Sequence, residues 1–466
     1  MLAAVGLAGC QAVGPDYLAP AAIVPVTYRQ VKGWKPATPR DGEPKGPWWR
    51  EFHDAELSRL EETVALSNET VKQYEAGYRN GLALIAEARA GLLPSLNFLP
   101  SLTRSGPPGG DFLNAEITGS WTLDIWGKVR RQVEQQGATA QVDAATLDNA
   151  KLSAQLSLAV AYMQLRAADS LHALYVYTVA EYQRSLDISK NQYAAGTAAK
   201  SDVITAQAQV LSAQAQLINT DVQRRQSEHA IAVLMGKPPS EVSVSYRGLP
   251  DTAPHPPVGL PSTLLERRPD IAAAERTMKA QNAAIGVAVA GYYPDLTLTG
   301  GYGYLGDPFI KQIAGMNPVW SYAATLAQPL FNGGLTAAQV EAARATYDQS
   351  VAVYRQTVLS AFQQVEDDLV AIRVYDREIK VQQEAVRIAQ QAVGIALNEY
   401  RAGTQAFTVV VTAEATELSN ELSFLQTRQA RLAASVALIV ALGGGWDKVD
   451  LPRLAADAPP DAAPIP

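Results

Sequence analysis

The chain has 466 residues and a formal net charge of −7. With no basic cluster to neutralise phosphates, that balance excludes a nucleic-acid surface, and no run of about 20 apolar residues is present that would cross a membrane as a helix. A lone cysteine, Cys10, excludes intrachain disulfides.

Residues 1–10 end in Leu-Ala-Gly-Cys. This resembles the bacterial lipobox, where a signal peptide is cut before a cysteine whose thiol is then acylated. Nine residues precede Cys10 and none is basic, so 1–10 reads as a truncated lipoprotein signal segment. Residues 11–53, rich in Pro, Gly and Trp, read as extended. Residues 54–90 read as helix. From Asn114 to Ile125, polar and apolar residues alternate strictly, the period of a β-strand. Pro94–Thr103 is the candidate partner strand, and strands are expected within about 94–126.

None of the 28 prolines lies between Pro108 and Pro238, or between Pro329 and Pro452. Proline and glycine break helices, so these stretches predict long helices over 127–193 and 333–400 and return helices over 200–235 and 405–442. Val351, Val358, Val365, Ile372, Ile379, Val386, Val393 and Tyr400 form a seven-residue series, the period of coiled-coil packing. Leu158, Leu165, Val179, Leu186 and Tyr193 follow the same phase, broken at His172. Gly196 and Gly403 stand where a helix end needs a left-handed residue. A linker at 237–261 leads to a helix at 262–292 and to strands within about 294–331, from Asp295–Tyr304 and Val319–Phe331. A tail, 443–466, closes the chain. About 65 helical residues give a rod of about 100 Å.

The two halves are one repeat at an offset of 207 residues: Tyr193 to Val203 reads YAAGTAAKSDV and Tyr400 to Val410 reads YRAGTQAFTVV. The repeats run over 54–236 and 262–442. The fold class is therefore mostly α, each repeat carrying two β-strands and long coiled-coil helices. Four strands per chain, with aromatics near their ends, match the outer-membrane barrel pattern but cannot close a barrel, whose minimum is about eight. Two or three copies are required. Arg166/Asp169 and Arg373/Asp376, at i,i+3, read as ordinary surface pairs.

Cys10 with Val13-Gly14-Pro15-Asp16-Tyr17, Leu123-Asp124-Ile125-Trp126-Gly127-Lys128, Leu265-Glu266-Arg267-Arg268-Pro269-Asp270-Ile271, Ile285-Gly286 through Pro294, and Leu442-Gly443-Gly444-Gly445-Trp446 together resemble the TolC-like outer-membrane efflux proteins, in the lipoprotein branch that includes OprM and CusC. The resemblance covers nearly the whole chain. It implies a homotrimer with a 12-stranded β-barrel in the outer membrane and an α-helical barrel crossing the periplasm. Its implied partners are outer-membrane lipid, a periplasmic adaptor protein and an inner-membrane transporter of the RND class. It implies no cofactor beyond lipid on Cys10. It implies a gate at the periplasmic tip, carried by Tyr193, Ser201, Asp202, Tyr400, Gln405, Val409 and Thr412. Of these, Gln405 stands where TolC has Arg, and Val409 and Thr412 where TolC has Asp. Asp202 reads equally as a carboxylate at a helix N-terminus. Gly196, Thr197, Ala198, Gly403, Thr404 and Ala406 are the candidate adaptor contacts.

Gly301 to Gly306 fits G-x-G-x-x-G, but a dinucleotide site needs a helix directly after it, and Pro308 follows. The four histidines, His53, His172, His229 and His255, have no metal-site spacing, and no catalytic constellation is present. An export duct for small molecules is the leading reading. A type I secretion channel, a metal-ion duct and a lipid-anchored coiled-coil scaffold remain as alternatives.

Overall fold

The computed structural model describes residues 12–18, 47–104, 106, 111–250, 268–306 and 317–444. In chain order the elements are α1 (Ala55–Ser67), α2 (Glu69–Ala90), β1 (Ser95–Arg104), β2 (Asp111–Leu123), α3 (Lys128–Ala194), α4 (Lys200–Leu234), α5 (Pro269–Ala290), β3 (Asp295–Gly306), β4 (Asn317–Ala327), α6 (Leu335–Arg401) and α7 (Phe407–Ala441). Cys10, the linker from 251 and the tail from 445 lie outside the described residues.

The four strands form one antiparallel sheet in the order β1-β2-β3-β4, so β2 and β3 join the two repeats. The register fixes the faces. Phe98 opposes Ile117, Ile117 opposes Tyr302, and Tyr302 opposes Trp320. Alternate residues share a face, so Leu96, Leu102, Trp121, Leu298, Tyr322 and Leu326 join them on a continuous apolar face. The opposite face carries Asn97, Ser101, Glu116, Thr118, Thr297 and Ser321. The G-x-G-x-x-G run lies inside β3. A Cβ on Gly301 would come within 2.1 Å of Glu116 Oε1, and one on Gly303 within 2.5 Å of the Ala115 carbonyl. These glycines make room for the neighbouring strand. The outer edges of β1 and β4 have no strand beside them among the described residues.

Below the sheet the helices form a layer. α3 and α6 have 67 residues each, the return helices α4 and α7 have 35, and α2 and α5 have 22. α3 packs against α2 and α5 in its upper half and against α4 and α7 in its lower half; α6 packs against α5 and α7. The lower order is thus α4-α3-α7-α6. Val358, Val365, Ile372, Val393 and Tyr400 of the seven-residue series are buried in it. At the break in the α3 series, His172 meets Tyr246 edge to face, ring centres 5.8 Å apart.

The expected helix over 54–90 is two helices, because Asn68 divides it. Asn68 Oδ1 accepts from the Thr70 and Val71 N–H groups at 2.9 and 3.2 Å, capping α2. Its Nδ2 donates to the Leu234 carbonyl at the end of α4, at 2.7 Å. One side chain therefore splices α2 end to end onto α4. In the second repeat, Arg268 does the same: it precedes Pro269 at the start of α5 and donates to the Ala441 carbonyl at the end of α7, at 3.1 Å. The expected extended segment also contains a 3₁₀ helix, Trp48–Phe52, whose three aromatics are buried.

The surface reading of Arg166 and Asp169 is wrong. Arg166 is 0 % exposed. It donates to Asp169 Oδ2 at 3.2 Å, to the Tyr162 hydroxyl at 2.8 Å and to the Ser245 carbonyl. Asp169 also takes Arg224 at 2.8 Å, and Arg224 pairs with Glu228 and donates to the Val244 carbonyl. Together these bonds clamp residues 244–247 onto the helices. In the second repeat, Asp376 is held by Arg431 of α7 at 2.6 Å.

Asn68→Ser keeps an acceptor for the α2 cap and loses only the bond to Leu234; Asn68→Ala loses both. The expected losses are about 1 and about 2 kcal/mol, read as thermal midpoints in detergent. No loss in Asn68→Ser would show that the splice contributes nothing beyond the cap.

Candidate gate at the helical tip

The two tip turns are built alike. Gly196 and Gly403 have φ of +74° and +72°, and the N–H groups of Thr197 and Thr404 return to the Gln192 and Glu399 carbonyls at 2.9 and 3.0 Å. The threonine hydroxyls bond the same carbonyls. Each turn thus satisfies the last carbonyls of a 67-residue helix. Gly196, Thr197, Gly403, Thr404, Gln405 and Ala406 are exposed, and Ala198 is half-buried.

The two tyrosines of the repeat, in contrast, have opposite environments. Tyr400 is 4 % exposed and Tyr193 is 48 % exposed. The Tyr400 hydroxyl donates to Asp202 Oδ2 at 3.3 Å and lies 3.3 Å from Ser189 Oγ. Its ring packs on Phe407, centres 5.1 Å apart. Gln192 Nε2 donates to the Tyr400 and Arg401 carbonyls at 3.0 and 3.2 Å. The end of α6 is thus tied to both α3 and α4. Asp202 sits in the first turn of α4, where a carboxylate meets the helix N-terminus, and also holds Ser201 Oγ at 3.4 Å. Tyr193, Gln405, Val409 and Thr412 stay outside this knot on exposed faces; Val409 and Thr412 instead line a shallow groove with Ala389 and Thr416.

Higher up, the seam between α3 and α7 is acidic. Glu414, 3 % exposed, accepts from buried Ser185 Oγ, while its Oε2 has no hydrogen-bond partner. Burial, with Glu417 and Glu181 nearby, pushes Glu414 up to about 7. Burial, with Glu421 and Glu181, pushes Glu417 up to about 7 as well. Gln390 from α6 donates to Glu421 at 3.1 Å. Among the described residues, no group of three or more His, Cys, Asp and Glu could hold a metal ion.

Residues 60–237 and 260–444 match the family model described as outer membrane efflux protein. The chain belongs to that family. It is 28 % identical over 462 residues to the antibiotic efflux pump outer membrane protein ArpC of Pseudomonas putida, covering 94 % of this chain and 93 % of that one. It is 30 % identical over 470 residues to the outer membrane protein OprJ of Pseudomonas aeruginosa, covering 96 % and 95 %. Among solved structures, the outer-membrane channel OprN superposes with a TM-score of 0.84 at 28 % identity, over 93 % of this chain and 99 % of that one.

Within the described residues, the motifs around Gly14, Asp124 to Trp126 and Gly286 are junction pieces of this efflux-protein fold. Asp124 accepts from the Val129 and Arg130 N–H groups at 2.8 and 3.0 Å and caps α3 below the sheet. Trp126 donates to the Pro294 carbonyl at 2.9 Å and stacks on Tyr293 at 4.8 Å. Val13 donates to the Trp126 carbonyl at 3.0 Å, and Arg131 donates to the Val13 carbonyl and pairs with Asp16 at 2.8 Å. Gly14 crosses Gly286 so tightly that a Cβ would fall 2.4 Å from the Gly286 Cα. Sequence reasoning missed Ser185, Ser189, Gln192 and Glu414. They are polar residues inside apolar heptads, and their only signal is that they interrupt them.

A carboxyl raised in the folded state costs stability as pH rises: the Glu414 contribution is complete below about 4.5 and is lost as pH climbs through about 7. Glu414→Gln keeps an acceptor for Ser185 without the charge. Between pH 5 and pH 8, wild type is expected to lose on the order of 2–3 kcal/mol more per chain than this variant, read from thermal midpoints across pH. Parallel profiles would show that Glu414 titrates normally.

Proposed function

We propose that three copies of this chain form a gated duct that carries small toxic molecules, drugs among them, across the outer membrane of a Gram-negative cell. The observation that carries the reading is the sheet: one face is apolar but for Arg104 at the end of β1, the other is mainly polar, and among the described residues both edges are open. In lipid an open edge leaves backbone groups unsatisfied. Pairing β4 of one copy with β1 of the next removes the edges, and three copies give twelve strands with the apolar face to lipid and the polar face to a lumen. The helices then continue the duct into the periplasm. The other components of the pump are a periplasmic adaptor protein, docked on the exposed tip turns, and an inner-membrane transporter of the RND class.

Cys10 carries the lipid anchor. Residues 12–17 run across the helix–strand junction, where Ala12 packs on Gly127 and Val13 bonds Trp126. The position of Ala12 at the level where the sheet begins supports this anchor, which needs an acyl chain close to the bilayer. The tie from Tyr400 to Asp202, Ser189 and Gln192 holds the resting duct closed. The chain acts as a passage and carries out no reaction.

Single-channel recording in a planar bilayer tests this. Wild type is expected to open rarely and to small conductance, and Tyr400→Phe combined with Asp202→Ala to open wider and for longer. No conductance from folded trimers of either protein would overturn the duct and favour a lipid-anchored envelope scaffold.

A further inference from the structure

The polar face of the sheet carries a single charge at mid-height. Glu116 stands near the middle of β2 on that face, half-buried, and forms no ion pair among the described residues. The register places Leu99 beside it on β1, Gly303 on β3 and Val319 on β4. The row across the four strands thus reads Leu99-Glu116-Gly303-Val319, and the carboxylate is its only polar side chain. Asp295, at the foot of β3, is the only other charged side chain on this face among the described residues, and Lys128 lies 4.0 Å from it.

The glycines of the G-x-G-x-x-G run set the pose of this carboxylate. A Cβ on Gly301 would collide with Glu116 Oε1 and come within 3.0 Å of Ser321 Oγ, and one on Gly303 would come within 2.9 Å of the Glu116 Cβ. The side chain therefore lies along the wall, across β3 towards β4, in a track that only residues without a Cβ leave open. The repeat does not copy it: the position 207 residues on from Glu116 is Ala323, on the same face of β4. Each chain brings one such carboxylate.

We infer that Glu116 sets the charge preference of the duct within the membrane, so that cationic solutes pass in preference to anionic ones. In a closed barrel of three copies, the three Glu116 carboxylates stand at one height, a third of a turn apart. Twelve strands about 4.8 Å apart, tilted by about 40°, make a wall about 12 Å from the axis. The Debye length is about 10 Å at 0.1 M salt and about 30 Å at 0.01 M, so the field of the ring reaches the axis in dilute salt. A ring of carboxylates concentrates cations in the lumen and depletes anions. The glycine track keeps the side chains flat, so they charge the passage without narrowing it. At the tip, by contrast, Asp202 is the one charged residue among the expected gate positions, and the Tyr400 hydroxyl engages it. The inference rests on the trimeric duct proposed above and names the class of solute it favours.

Reversal potentials across a KCl gradient in planar bilayers test this, with every protein in the Tyr400→Phe/Asp202→Ala background so that the tip does not limit the current. Glu116→Gln is expected to lower the K⁺/Cl⁻ permeability ratio roughly fivefold with the dilute side at about 10 mM, and by less than about twofold at about 1 M. Glu116→Lys is expected to lower it further, and Glu116→Asp, which keeps the charge, to leave it near the value with Glu116. Particles of trimer mass that conduct with one ratio whatever stands at position 116 would overturn the ring and leave the duct standing. An equal loss of preference in Glu116→Asp and Glu116→Gln would overturn the ring as well, because charge would not be its cause. Trimers that conduct in none of these versions would overturn the duct and the ring together.

Discussion

The outer edges of β1 and β4, which have no strand beside them among the described residues, are the constraint on which the rest of the structure depends. Every described strand residue between those edges has its ladder partner, and the sheet sorts its side chains into one apolar and one polar face. Such a sheet is stable in a bilayer only when the edges close on other strands. In a bilayer, four strands would therefore need further strands beside them, and among the described residues the layer beneath is open in the same way: α3 and α7 are covered on both sides, α4 and α6 on one.

The internal repeat lets so short a sheet sit on so long a rod. Each long helix spans the whole layer, while its partners come in two pieces, α2 above α4 and α5 above α7. A break in a helix leaves four N–H groups and four carbonyls unsatisfied. Asn68 and Arg268 answer part of that need at both joints, and they do so with different chemistry, an amide and a guanidinium. The repeat has kept the joint and changed the residue that makes it.

What could be read from the residues followed from local periodicity. The strict alternation over Asn114–Ile125 is β2 and its junction, the proline-free stretches are α3–α4 and α6–α7, and Gly196 and Gly403 end the long helices. What could not be read depended on a third partner far along the chain. Arg166 and Asp169 have the spacing of a surface pair; Arg224, fifty-five residues beyond Asp169, makes them a buried clamp. Asn68 carried its own cap signal, but the apolar period runs through it on both sides. Tyr193 and Tyr400 occupy the same motif, and no local rule separates them. Only the packing of the α6 end against α3 and α4 places one inside and leaves the other exposed.

The internal seam and the equivalent positions on α6 and α4 carry different residues. At mid-height the α3–α7 seam holds Glu181 near Glu414 and Glu417, with Glu421 beside Glu417, while the equivalent positions are uncharged: Ile388 on α6, and Gln207, Val210 and Gln214 on α4. An apolar heptad contact gains with every residue buried. A seam of buried carboxylates weakens as they ionise, since each loses solvent and faces like charge. Ionisation therefore weakens the internal seam as pH rises through neutrality, and that seam lies directly above the tie that Tyr400 makes to Asp202. A movement that separated the two helix pairs of one chain would break that tie first.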